Sequence, residues 1–236
     1  MLEVKNLTAG YGSVEALRGV SFSVPEGATV ALLGRNGAGK STTLRVISGL
    51  LHPRRGEVHL DGVRIDRHRP EAIARLGIAH VPEGRELFNG LTVAENLAAG
   101  AYFRRLDRKA LRPEVERVLE FFPVLRQFLD KPAGTLSGGQ KQMLALARGL
   151  VSRPRLLMVD EPSLGLSPIA TEALYDALAL LCREERSLTV LLVEQYVGLA
   201  LEVADQAYVL EKGELVLAGD AHELHDHPEV VSAYVG

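Results

Sequence analysis

Three short stretches hold the residue types that could do chemistry in this chain. Residues 34–41 read Gly-Arg-Asn-Gly-Ala-Gly-Lys-Ser, which fits G-x-x-x-x-G-K-[ST]. The stretch follows the apolar run TVALL and opens the helical pattern KSTTLRVISGL, the strand-to-helix context a phosphate-holding loop requires. Its glycines let backbone N–H groups turn inward, and the helix aims its positive end at the same point. The expected cradle is Gly34, Asn36, Gly37, Ala38, Gly39, Lys40, Ser41 and Thr42. Lys40 is placed to reach the β- and γ-phosphates of a nucleoside triphosphate, and Ser41 to hold Mg2+.

The second stretch, LLMVDE at residues 156–161, is a hydrophobic strand ending in two acids. Asp160 suits Mg2+, directly or through water. Glu161 lies where a carboxylate could deprotonate the water attacking the γ-phosphate. The third, TLSGGQKQ at residues 135–142, runs at once into the helical pattern KQMLALARGLV. Ser137 is a good helix N-cap, and Gly138 and Gly139 expose N–H groups at a positive helix end, a second anion site. The chain already cradles one triphosphate at residues 34–42. The second grip is therefore best explained as holding a nucleotide carried by another molecule, with two such chains face to face.

The order GRNGAGKS, LSGGQ, LLMVDEP resembles the ATP-binding cassette (ABC) ATPases, and the resemblance covers nearly the whole chain. The resemblance implies ATP and Mg2+ as ligands, and a head-to-tail pair of cassettes in which Ser137, Gly138, Gly139 and Gln140 meet the partner's nucleotide. It implies that Tyr11, in TAGYGS, stacks on adenine, for which an aromatic face is a suitable platform. It also implies that the helical lobe docks on a membrane subunit, with Glu83 linking the metal site to that lobe. Three positions depart from the family at large. Glu83 stands where glutamine is usual, adding a charge to a residue that can still coordinate metal. Gln195 stands where a histidine contacts the γ-phosphate; an amide can donate a hydrogen bond there but cannot become a cation. Ser167 stands where aspartate is usual and, just before Pro168, suits a helix cap. These departures bear on the hydrolysis rate, not on nucleotide binding. VPEGRELF, EPSLGLSP and LLVEQ together are similar to the LivF-type ATPases of branched-chain (hydrophobic) amino-acid importers, with ATPases of urea or short-chain amide import a close alternative. Glu161, Gln195 and Lys40 are then the catalytic set, and Ser41, Glu83 and Asp160 the metal set. The implied partners are a second cassette, identical or homologous, two transmembrane permease subunits and, indirectly, a substrate-binding protein.

The elements that must position these residues are legible as well. LEVKNL, VSFSV, TVALL and EVHLDGVRI read as short strands, and TVALL is apolar throughout, as a strand buried on both faces should be. GIAHVP, LLMVD and LTVLLVE continue the series, and AYVLEKGELVLAG reads as a hairpin about Lys212-Gly213. TVAENLAAGAYF, RKALRPEVERVLEFF and GGQKQMLALARGLV are helical, as are PIATEALYDALALLCREE, VGLALEVA and the terminal PEVVSAYV. Strands alternating with helices imply a largely parallel α/β sheet. The expected fold is a P-loop NTPase core of the ABC ATPase type with an N-terminal antiparallel β part and an inserted helical lobe: one domain over 1–236, with 1–87 and 151–236 as core and 88–150 as lobe.

Composition excludes several classes. Lys and Arg total 27 against 30 Asp and Glu, a formal net charge of −3, so no nucleic-acid partner is expected. A soluble cassette for DNA repair or translation would often carry a second cassette or a coiled-coil insertion, and neither is present. A metabolite kinase would account for the phosphate loop but not for LSGGQ or Glu161. A regulatory cassette that barely hydrolyses ATP is suggested by Gln195 and opposed by Glu161. The lone Cys182 fits a small buried hydrophobe in a reducing compartment. The cluster HELHDH, residues 222–227, reads as a polar terminal turn rather than a zinc site. The N-terminus has no signal-peptide core, and no apolar run approaches the ~18 residues needed to cross a bilayer. Any crossing would fall to other chains, and the expected location is peripheral, on the cytoplasmic face of the membrane.

Overall fold

The computed structural model describes residues 1–104 and 106–225. Two sheets pack against a common core, and a second core lies on the far face of the larger sheet. The first is antiparallel, built from β1 (Leu2–Tyr11), β2 (Val14–Val24), β4 (Arg55–Leu60) and the two-residue β5 (Val63–Arg64), in the order β2-β1-β4-β5. The second contains β3 (Thr29–Leu33), β6 (Ile78–Val81), β7 (Leu156–Asp160), β8 (Thr189–Glu194), β9 (Gln206–Glu211) and β10 (Glu214–Asp220), in the order β10-β9-β3-β8-β7-β6. Every ladder in this sheet is parallel except the edge pair β9–β10.

The central strands are apolar because both faces are covered. Along β3, Val30 and Leu32 face one core, shared with the antiparallel sheet, α1 (Lys40–Ile47) and α2 (Pro70–Arg75). Ala31 and Leu33 face the other. Strands β7 and β8 repeat this alternation, with Met158 and Leu191 on the first side and Leu157 and Leu192 on the second. The second core is closed by α5 (Gly138–Val151), α6 (Pro168–Glu184) and α7 (Val197–Leu201). A period of two on a strand with both faces buried leaves no polar positions, hence runs such as TVALL.

Between β6 and β7 the chain is helical: α3 (Val93–Gly100), α4 (Arg108–Phe121), three 3-10 turns and α5. Thr92 and Glu95 form a capping box at the start of α3, and Asp107 caps α4, so both helices have defined N-termini. Helix α2 went unread in the sequence because its six residues are too short to show a helical period. The polar turn expected at HELHDH is instead helical from Ala221 to His225 (α8), since Leu224 and Ala221 bury against the second core. Asp226, His227 and the expected PEVVSAYV helix lie outside the described residues. The Lys212-Gly213 hairpin forms as read, with both turn residues at positive φ, the geometry that suits strand twist.

Helices α3 and α5 cross at Gly100, where a Cβ would sit 2.0 Å from the Arg148 carbonyl oxygen. Gly100→Ala should gain about 1 kcal/mol of helix propensity but lose about 1–3 kcal/mol or more to overpacking. The backbone overlap decides the sign, and urea unfolding should show a net loss. A variant as stable as the parent would mean that the crossing yields freely.

Candidate active site

The parallel register brings the carboxyl ends of β3, β8, β7 and β6 to one edge of the sheet, where ligands bind in open α/β folds. Directly after β3, residues 34–39 loop into α1. Gly39 is the N-cap, with φ 111° and no capping side chain, so the first-turn N–H groups keep their capacity for an anion. A side chain at Gly39 would strike Leu17 and the Ala16 carbonyl, within 2.8 Å, so the loop lies flush against the antiparallel sheet. The β9–β10 hairpin turn also holds it, the Gly213 N–H donating to the Ala38 carbonyl at 2.9 Å.

A cleft of about 400 Å3 opens over this loop, lined by Asn36, Gly37, Gly39, Lys40, Ser41, Thr42, Glu83 and Glu161. Ala16 and Leu164 complete the lining; nothing in their residue types marked them in the sequence. The Lys40 ammonium is buried, donates to the Gly34 carbonyl at 2.8 Å, and pairs with Glu161 at 2.9 Å. Ser41 Oγ donates to Asp160 Oδ1 at 3.0 Å. Burial, with the negative charges of Glu161 and Glu83 adding to it, pushes the Asp160 carboxyl up to about 6, against the Ser41 hydrogen bond and the Lys40 charge. Glu161 is held at φ 45°, a strained conformation for a non-glycine residue, and its N–H donates to the Val193 carbonyl at 2.9 Å.

This chemistry fits Mg2+. Acidic oxygens outnumber the local ammonium, and a serine hydroxyl already touches the carboxylate that burial disfavours as an anion. Among the described residues no three His, Cys, Asp or Glu side chains converge as a metal cage. Mg2+ does not need one, since one or two carboxylates with phosphate oxygens and water suffice.

The other expected residues are dispersed. Tyr11, at the end of β1, is 44% exposed and accepts a hydrogen bond from Arg45 at 3.1 Å; it is not part of the cleft lining. Gln195 is half-buried just past β8, also outside that lining. Ser137, Gly138, Gly139 and Gln140 begin α5 away from the cleft. Ser137 and Gln140 form a reciprocal capping box, legible in the sequence as S-x-x-Q. Gly139 approaches the start of α6, where a Cβ would lie 2.8 Å from that of Ala170. Ser167 caps α6 through the Ala170 N–H at 3.4 Å.

The sequence model described as ABC transporter matches residues 17–164. This chain belongs to the ABC transporter family. The cassette is 43% identical over 236 residues to the high-affinity branched-chain amino acid transport ATP-binding protein BraG of Pseudomonas aeruginosa, covering 100% of both chains. It is 40% identical to the probable branched-chain amino acid transport ATP-binding protein LivF of Archaeoglobus fulgidus, covering 100% of this chain and 99% of the relative. The dimeric post-hydrolysis structure of an ATP-binding cassette bound to ADP and Pi superposes with a TM-score of 0.82 at 27% identity, over 94% of this chain and 99% of that one.

Asp160 makes the site pH-sensitive. Its raised value means the folded protein holds a proton that the unfolded chain releases near pH 4. Its contribution to stability is therefore present below that pH and lost as pH rises through about 6. Without nucleotide or divalent cation, Asp160→Asn should raise stability at pH 8 by on the order of 1–3 kcal/mol. The gain should shrink as pH falls through about 6; a gain independent of pH in thermal melts would rule this origin out.

Proposed function

We propose that this chain is the ATP-hydrolysing subunit of an importer for branched-chain amino acids. It works on the cytoplasmic face of the membrane as one cassette of a head-to-tail pair, attached to two permease subunits that a substrate-binding protein supplies. The observation that carries the reading is the carboxylate of Glu161 in the cleft wall, one residue past Asp160 and ion-paired with the loop lysine at 2.9 Å. Among the described residues no helix is long and apolar enough to cross a membrane, consistent with a motor that drives other chains.

In this reading ATP lies along the 34–42 loop. Lys40 neutralises the β- and γ-phosphate oxygens, and Glu161 orients the attacking water and takes its proton. Bound Mg2+ would draw charge from those oxygens, with Ser41 and Asp160 as holders and Glu83 beside them. Tyr11 offers its ring to adenine, and Gln195 offers its amide to the γ-phosphate. The α5 start, with Ser137, Gly138, Gly139 and Gln140, grips the nucleotide of the partner cassette. A groove of about 1070 Å3 bordered by Leu76, Phe88, Phe103, Arg75 and Arg148 supports contact between the helical lobe and a permease. The amino-acid substrate class carries over from the two relatives, which match the chain end to end.

Glu161→Gln should lower ATP turnover by at least about 10²-fold while ATP stays bound. Light scattering of that variant should show a shift from monomer to dimer mass on adding Mg-ATP. Persistent monomer with ATP bound would assign the pairing to a different cassette chain, and retained hydrolysis would remove Glu161 from the chemistry. In the source cell, deletion of the chain should abolish leucine, isoleucine and valine uptake, restored by the wild type and not by Glu161→Gln. Unchanged uptake would overturn the substrate assignment.

A further inference from the structure

Strand β8 lies between β3 and β7, and its last residue is a carboxylate that the reaction as described does not use. Glu194 is 1% exposed and in register with Leu33, the residue before the phosphate loop. A carboxylate so placed needs its lone pairs filled, and they are. Oε1 accepts from the Ser163 N–H at 3.1 Å and the Tyr175 hydroxyl at 2.9 Å. Oε2 accepts from the Gln195 N–H at 2.9 Å and the Tyr196 N–H at 3.4 Å. Burial and the neighbouring Glu194 carboxylate push the Tyr175 hydroxyl upward, so it stays a donor.

The three main-chain donors belong to two separate loops. Ser163 is two residues past Glu161, in the turn that runs on to the cleft residue Leu164. Gln195 and Tyr196 lead from β8 into α7. Among the described residues no other side chain bonds to both loops. The Ser163 hydroxyl, buried and without a partner, does not secure its loop. The Glu161 N–H bonds to Val193, one residue before Glu194, so β8 holds the Glu161 loop at two successive points.

We infer that Glu194 is a positioning residue for ATP hydrolysis: its buried carboxylate locks the backbone after Glu161 to the backbone carrying Gln195, and so fixes the general base over the phosphate loop. This rests on the reading of Glu161 as that base. The geometry predicts a role in turnover rather than in nucleotide affinity, because none of the four donors belongs to the 34–42 loop. A shift of about 1 Å in a catalytic group costs on the order of 10²-fold in rate.

The test compares wild type, Glu161→Gln, Glu194→Gln and Tyr175→Phe as full chains. Glu194→Gln puts an NH2 where donors now converge, and Tyr175→Phe removes a single donor. Glu194→Gln should lower kcat by on the order of 10–10²-fold, with affinity for a fluorescent ATP analogue within about twofold and amide exchange accelerated over residues 161–166 and 195–197 but not 34–42. Tyr175→Phe should lower kcat several-fold with the same exchange pattern. Turnover and exchange unchanged in Glu194→Gln, or kcat and ATP affinity falling together, would overturn the inference. If Glu194→Gln does not fold, Tyr175→Phe decides by the same two readouts. A wild-type chain that does not hydrolyse ATP, or a Glu161→Gln variant that does, defeats the proposed function instead, and the exchange pattern then judges the tie between the loops alone.

Discussion

Strand β8 is hydrogen-bonded to β3 on one side and to β7 on the other, both in parallel, and this ladder is the constraint on which the site depends. Leu33 aligns with Glu194 and Asp160 with Val193, so the phosphate loop and the acidic pair leave the sheet at the same level. A slip of one residue would turn every side chain of these strands to the opposite face. Because both faces are packed with Leu, Val and Met, such a slip exchanges one buried set for another and breaks two cores at once. The register is therefore held by packing, and with it the 3.0 Å contact between Ser41 and Asp160.

Charge in the cleft follows from that placement. Lys40, Asp160 and Glu161 are all buried, and unpaired charges there would be costly. The ion pair of Lys40 with Glu161 and the loop carbonyls answers for two of them. Asp160 accepts a hydrogen bond from the Ser41 hydroxyl but has no ion pair of its own among the described residues, and burial pushes its carboxyl up against that bond and the Lys40 charge. A buried carboxylate short of positive partners is one that an arriving cation would stabilise.

The helical lobe is tied to this edge by arginines. Arg85, at positive φ, donates to Gln142 on α5 at 2.7 Å and to the Leu164 carbonyl at 3.4 Å. Arg148 on α5 holds the carbonyls of Arg85 and Glu86 and lies over the Phe88 ring. Farther out, the buried Glu114 of α4 receives Arg104, Arg117 and Arg153. The segment after Glu83 thus touches both α5 and the loop beyond Glu161. Apolar periodicity does not reveal such contacts, because long polar side chains reach them across 57 to 79 residues of sequence.

The sequence by itself determined the local structure. The phosphate loop, the acidic strand end, the capped start of α5 and the buried parallel strands each follow from residue type at short spacing, where glycine conformation, helix capping and a period of two act on neighbours. Six of the eight expected cradle residues line the cleft, and a seventh, Gly34, lends its carbonyl to Lys40. Tertiary structure alone decided which distant groups meet. It paired Lys40 with Glu161, left Tyr11 and Gln195 outside the cleft lining, made a helix of residues 221–225 and filled Glu194 with donors from two loops. Those outcomes depend on strand order and on burial summed over the whole core, and neither quantity is carried by any short stretch of the chain.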